Sequence, residues 1–248
     1  MTMEVSREQS GISAGVLKII AVLTMLIDHV AAAVLLRTIY ATGNTELMPL
    51  YIAMRQIGRI AFPIYCFMLV EGLERTRSRG NYLARMAGFA LLSEIPFDLA
   101  FSSQVLEIGY QNVFFTLTIG LAAMIGIEQL REKIRLPLWQ IVLTVCTTVA
   151  AMVLAYVLQT DYDWRGVACI LIMYFFRHNR KAELIWGYVA FVLLLAEIAA
   201  LPAFIALGFY RGRKGFSAKY FFYGFYPAHL LILYFVCVIM GIASIPAV

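Results

Sequence analysis

Apolar residues run along the chain in eight long stretches, at approximately 15 to 36, 50 to 73, 82 to 101, 110 to 129, 136 to 158, 165 to 177, 184 to 209 and 219 to 242, with short polar connections between them. A helix of about 20 such residues matches the hydrocarbon thickness of a bilayer. The pattern predicts an all-α fold, a polytopic transmembrane helical bundle of about 8 to 10 spans with some short or broken helices. One domain over residues 1–248 accounts for the whole chain. The stretch from 184 to 209 is interrupted by Glu197 and Pro202. It is short of the roughly 40 residues that two full crossings need, which predicts a broken or re-entrant hairpin.

Composition narrows the picture further. Of 248 residues, 62% are hydrophobic and 14% charged, and the mean hydropathy is +0.82, which excludes both a water-soluble globule and a disordered chain. The net charge of +5 does not point to nucleic acid, because the cations sit in short runs between apolar stretches. Arg75, Arg77 and Arg79 form one run, Arg131, Lys133 and Arg135 a second, Arg177, Arg180 and Lys181 a third, and Arg211, Arg213, Lys214 and Lys219 a fourth. Short cytoplasmic loops collect Lys and Arg, so these runs predict a multi-pass protein of the cell inner membrane with a cytoplasmic amino terminus. The connections bearing Glu46, Glu107, Asp161 and Asp163 are then external. No removable leader is expected, since a basic start, a short apolar core and a cleavage site are lacking before residue 15. Cys66, Cys146, Cys169 and Cys237 fall in apolar stretches and read as small buried hydrophobes.

Ionisable groups inside spans are costly and mark functional candidates. Asp28 and His29 lie roughly 10 to 12 Å from the external end of the first span, and Arg59 roughly 14 Å below the start of the second, with Arg55 one turn away. Glu94 and Asp98 occupy the external half of the third span, and Gln111 and Asn112 open the fourth. This shared depth predicts one polar cavity. A bland alternative has Glu94 and Asp98 neutralising Arg55 or Arg59 in a structural network, and Asp28 pairing locally with His29 or with Arg59. Asp163, Trp164 and Arg165 read as a span entrance with an interfacial anchor. Lys18, Arg37 and Arg85 are expected to extend towards the headgroups. His229 lies near the middle of the last span, two residues after Pro227, which marks an expected kink.

Several blocks carry a resemblance to a known family: Leu17 to Ile20 with Met25 to His29; Gly58 to Pro63; Ser93 to Leu99; Gln111 to Thr116; and Phe225 to Leu231. Together they resemble the TraX family of integral membrane proteins, in order from residue 17 to about 235. That family is named for a conjugation protein that N-acetylates pilin, and it is similar to transmembrane acyltransferases such as the heparan glucosaminide N-acetyltransferase. The resemblance implies acetyl transfer from cytosolic acetyl-CoA to an external acceptor, and it places the intramembrane histidine of those relatives at His29.

Such transfer needs a base, donors for the oxyanion, and a seat for the CoA phosphates. His29 is the expected base or transient acyl carrier, with Asp28 as its partner. Asn112, Gln111 or Arg59 are expected to serve the oxyanion, with Glu94 and Asp98 in the same cavity and Tyr226 or His229 lining the acyl tunnel. Arg75, Arg77, Arg79, Arg211, Arg213 and Lys214 are the candidate phosphate ligands, with topology signalling as the plainer role. No metal is expected, since no ligand spacing for one appears. Beyond the bilayer and acetyl-CoA, the expected partner is a peptide amine, an amino sugar or an envelope polysaccharide, with an oligomer possible and no nucleic acid. A proton-coupled transporter and a non-enzymatic membrane assembly factor are the alternatives.

Overall fold

Each apolar stretch becomes helix, and several of the polar connections supply the caps that start or end them. The computed structural model describes residues 11–216, 219–245 and 247. Helix α1 (Ala14–His29) is capped by Ser13, passes through a π-helical segment (Val30–Leu35) and continues as α2 (Leu36–Thr42), ending at Gly43 with φ of 68°. The short α3 (Met48–Gly58) and the longer α4 (Ala61–Arg75) are joined by a break at Arg59 and Ile60. Then follow α5 (Arg79–Ser102), α6 (Val113–Lys133), α7 (Pro137–Val157), α8 (Asp163–Phe176), α9 (Arg180–Leu195), α10 (Leu201–Gly208) and α11 (Lys219–Ile239). Ser78, Asn112 and Asn179 cap α5, α6 and α9 by accepting a first-turn amide, which satisfies donors that a helix start leaves free.

Among the described residues, five helical runs are long and apolar enough to cross a membrane: Ala14–Thr42, Thr45–Arg75, Val113–Lys133, Pro137–Val157 and Phe221–Ile239. The chain is thus an all-α, multi-pass membrane protein. Helix α5 has the length but carries Arg79, Arg85, Glu94 and Asp98, while α8 and α9 have 14 and 16 residues. The interrupted stretch breaks as its acid and proline foretell: α9 stops at Ala196, whose φ is 56°, and a 3-10 turn (Ile198–Ala200) leads into α10.

The cationic connections gather at one end of the bundle. Arg79 pairs with Glu128 and Glu132, Arg177 with Glu74 and Glu128, and Tyr210 donates to Glu71. Ile12 pairs in parallel with Tyr210, so the segment after α10 lies beside the start of α1. At the other end the connections after α5 and α7 join, Gln111 pairing with Thr160.

Two apolar clusters fill the interior. One lies among α4, α6 and α8, around Ile64, Phe67, Leu121, Met124, Ile170 and Met173; the other joins the π segment to α5 and α11 through Ala32, Ala33, Phe97, Phe101 and Leu230. Helix α7 flanks the bundle and turns Ile141, Val145, Val149 and Val153 outward. Cys146 shares that outward face and is exposed, which corrects the expectation that all four thiols are buried; Cys66, Cys169 and Cys237 are.

Candidate functional site

The polar cavity lies beside the second apolar cluster, and His29 stands at its wall. Lining residues come from α1 (Met25, Asp28, His29), α3 (Arg55, Gly58), α4 (Phe62, Tyr65), α5 (Phe97, Phe101) and α11 (Tyr226), with Arg59 from the break after α3 and Tyr110, Asp161 and Tyr162 from the connections. The empty space is about 700 Å³, its open mouth included. The π-helical segment begins directly after His29. Such segments interrupt the regular helix and recur at functional sites.

With both rings neutral, a hydrogen-bond chain sets the tautomers of the two histidines. His229 Nδ1 lies 2.7 Å from the Phe225 carbonyl oxygen, and His229 Nε2 lies 2.7 Å from His29 Nδ1. The two rings are parallel to within 6° with centroids 5.0 Å apart, as an edge-to-edge bond between imidazoles in a common plane requires. A carbonyl only accepts, so Nδ1 of His229 carries the hydrogen and Nε2 of the neutral ring holds a lone pair. That lone pair accepts from His29 Nδ1, which leaves Nε2 of His29 unprotonated. Phe101 and Tyr226 set their rings edge-on to His29 and hold its plane.

Opposite the histidine is a wall of paired charges. Asp28 Oδ2 accepts from Arg55 at 2.6 Å, and Glu197 Oε1 accepts from Arg59 at 2.9 Å. Tyr110 donates to Asp161 at 2.8 Å, a contact made when Asp161 N donates to the Gln111 carbonyl and joins the two connections. Burial pushes the Asp161 carboxyl above its ordinary range, against the pull of the Tyr110 hydroxyl, Arg55 and Arg59. Asp28 leans on Gly58, where an added methyl would overlap the carboxylate. Gly58→Ala is expected to displace Asp28, release Arg55 and cost about 1–3 kcal/mol of stability. Thermal unfolding in detergent checks it, and a melting curve superposed on wild type would count against this packing.

The structure separates the residues that the membrane depth grouped together. Asp28, His29, Arg59 and Tyr226 line the cavity, and His229 stands behind His29. Asp28 turns to Arg55 rather than to the His29 ring or to Arg59. Glu94, Asp98 and Asn112 are buried outside the lining and do not neutralise the arginines. Glu94 Oε2 accepts from the side chain and the backbone of Asn112, which caps α6, and Asp98 Oδ2 accepts from Glu107 N at 2.8 Å. These three residues fix the connection that carries Tyr110. Gln111 bonds the carbonyls of Glu107 and Ile108 and does not reach the cavity.

At the cationic end, Arg75 pairs with Glu71 and Arg79 with Glu128 and Glu132, so two of the candidate phosphate ligands are neutralised. Arg77, Arg211, Arg213 and Lys214 are exposed there. Tyr110, Asp161, Tyr162 and Glu197 were not foreseen as site residues. Only Glu197 left a trace in the sequence, as an acid breaking an apolar stretch.

Comparison with known proteins agrees with this arrangement of blocks along the chain. The TraX family, described as TraX protein, matches residues 13–237. A relative from Dichelobacter nodosus, the probable fimbrial assembly protein FimC of serogroup H1, is 32% identical over 251 residues, covering 89% of this chain and 94% of its own. No solved structure matches. With the match spanning α1 to α11, the chain belongs to the TraX family.

Proposed function

We propose that this protein is an integral membrane acetyltransferase that moves an acetyl group from cytosolic acetyl-CoA to an acceptor on the external side. The observation that carries the reading is the chain from the Phe225 carbonyl through His229 to His29, which leaves a lone pair on His29 Nε2 at the wall of a polar cavity. In this reading the cationic end is cytoplasmic, the amino terminus included, and the shorter helices complete 8 to 10 crossings of the inner membrane. The relative named for fimbrial assembly favours a peptide amine as acceptor, ahead of an amino sugar or a polysaccharide hydroxyl.

The chemistry follows from the geometry. The acceptor nitrogen attacks the thioester carbonyl carbon while His29 Nε2 takes its proton, and the positive charge formed on His29 is shared with His229 through their hydrogen bond. The carbonyl electrons move to oxygen. Tyr226 lines the cavity and its hydroxyl is buried; in this reading that hydroxyl, alongside Arg59, is a donor for the oxyanion. The carbon–sulfur bond then breaks as the oxyanion collapses, and the thiolate leaves with the proton held by His29. Asp28 serves the site through Arg55 rather than through the histidine.

The test is to incubate the purified protein in nanodiscs with labelled acetyl-CoA and, in parallel, a peptide with a free amino terminus, an amino sugar and an envelope polysaccharide. Mass spectrometry is expected to find one acceptor acetylated. Label that stays on CoA in every mixture, with proton or solute flux in proteoliposomes lacking any acyl donor, would overturn the assignment in favour of transport.

A further inference from the structure

Helix α1 carries a cation on the same face as His29, closer to the cationic end. Lys18 and His29 are eleven positions apart, three turns plus about 20°, and their Cα atoms are separated by about 16 Å along the axis. Lys18 Nζ lies 5.6 Å from the centre of the Phe222 ring, in the first turns of α11. The next residue, Tyr223, stacks on Phe89 of α5 with centroids 4.6 Å apart. One turn before Phe89 on the same face is Arg85, whose guanidinium lies 5.8 Å from the Tyr82 ring.

Both cations are half-buried, and among the described residues neither has a carboxylate within salt-bridge distance. This sets them apart from Arg55, Arg59, Arg75, Arg79, Arg177 and Arg180, all of which are paired. Arg85 Nε is moreover buried without any hydrogen-bond partner, which extension towards the headgroups does not explain. An unpaired, partly buried cation is costly unless an anion arrives.

We propose that Lys18 and Arg85, with Phe222 and Tyr223 between them, bind the phosphate-bearing nucleotide end of the thioester donor, the aromatic rings meeting its base. The inference rests on the acetyl-transfer reading for the identity of that donor. Lengths agree with it. From phosphorus to sulfur the pantetheine arm is a little over four residues of extended chain, or roughly 15 Å, which together with the reach of the two side chains spans the interval from Lys18 to His29. Between the two on that face of α1 stands Met25, whose sulfur accepts from the Tyr65 hydroxyl at 3.8 Å on the cavity wall. Arg75 and Arg79, whose charges are matched by glutamates, are the weaker phosphate ligands.

The test is equilibrium binding of CoA to the purified full chain, with acetyl transfer measured alongside. Lys18→Gln and Arg85→Gln are each expected to weaken binding about tenfold or more, as loss of a hydrogen bond to a charged group does. Lys18→Arg and Arg85→Lys are expected to restore most of it, which separates loss of charge from misfolding. The preference of the enzyme for acetyl-CoA over acetyl-pantetheine, which lacks the phosphates, is expected to fall by a similar factor in the glutamine variants. Unchanged CoA affinity in both glutamine variants, with transfer intact, would overturn the site and leave the acetyltransferase reading standing. Binding that depends on both cations in a protein that acetylates nothing would sink that reading and keep the site. A wild-type chain that does not bind CoA would overturn the site outright.

Discussion

Replacing His29 with alanine is expected to lower acetyl transfer by about 10²- to 10⁴-fold, the range for losing a positioned general base. The informative companion is His229. In His229→Leu the ring of His29 loses the acceptor that holds its hydrogen on Nδ1, and the tautomer with hydrogen on Nε2, which is no base towards the cavity, becomes available. A wrong tautomer costs a triad enzyme up to about 10⁴ in rate. A fall of at least about 10²-fold is therefore expected for His229→Leu, although His229 does not touch the cavity. His229→Gln keeps an oxygen acceptor near the position of Nε2 and is expected to retain a large share of the rate. Initial rates of labelled acetyl transfer, with each variant matched for folded protein by gel filtration, decide the matter. A His229→Leu protein as active as wild type would remove the relay from the mechanism, and an active His29→Ala would remove the base.

How much of this was legible beforehand depends on the coordinate concerned. Position along the membrane normal follows from counting residues at 1.5 Å each, so His29, Asp28, Arg59 and Glu94 were all placed at a common depth. Rotation about the helix axis does not follow from that count. Glu94 and Asp98 share the depth of His29 but serve the connection before α6, binding Asn112 and Glu107. Arg55 and Arg59 are one turn apart on one face, and nothing local says that Asp28 takes the first while Glu197 takes the second. Pairing of His29 with His229 needs α1 laid against α11 across 200 positions of chain, and the motif around each histidine is silent about the other. Tyr110 and Asp161 were least visible, because each sits in a connection and acquires its partner only when two connections meet.

The same distinction separates two kinds of cation. Loop arginines were readable as a set because charge runs between apolar stretches are a one-dimensional signal, and the structure does bring them to one end. Their value to a ligand is not one-dimensional. The four glutamates at the ends of α4 and α6 engage three of them: Glu71 meets Arg75, Glu74 and Glu128 meet Arg177, and Glu128 with Glu132 meets Arg79. Among the half-buried cations of the described residues, Lys18 and Arg85 have no such neighbour, and both sit inside apolar runs where a sequence reading sends their side chains to the headgroups.

Arg37 shows the largest departure from that headgroup expectation, and its replacement is expected to have the largest effect on stability. The side chain is fully buried. Nε donates to the Ile245 carbonyl at 2.6 Å, one terminal nitrogen donates to the carbonyls of Ala100 at 2.6 Å and Ala33 at 3.3 Å, and the other donates to the Phe101 carbonyl at 3.2 Å and the Ser103 hydroxyl at 2.9 Å. Ala100 and Phe101 belong to the last turn of α5, whose carbonyls have no amide to accept from within the helix. In an apolar bundle no water stands ready to replace a lost donor. Each orphaned acceptor costs about 1–3 kcal/mol, so Arg37→Met, which keeps the side chain's length, is expected to lose about 3–5 kcal/mol. Arg37→Lys keeps the charge but not the planar fork and is expected to fall between. Thermal unfolding reads the loss. Cys237 reports its location, since this thiol is fully buried beside the guanidinium and donates to the Ala33 carbonyl. Its alkylation is expected to speed up in Arg37→Met while Cys66 and Cys169 stay protected, with the exposed Cys146 as the reference for full reactivity. Wild-type melting together with a protected Cys237 would show that the carbonyls at this end of α5 find other donors and that the guanidinium is dispensable there.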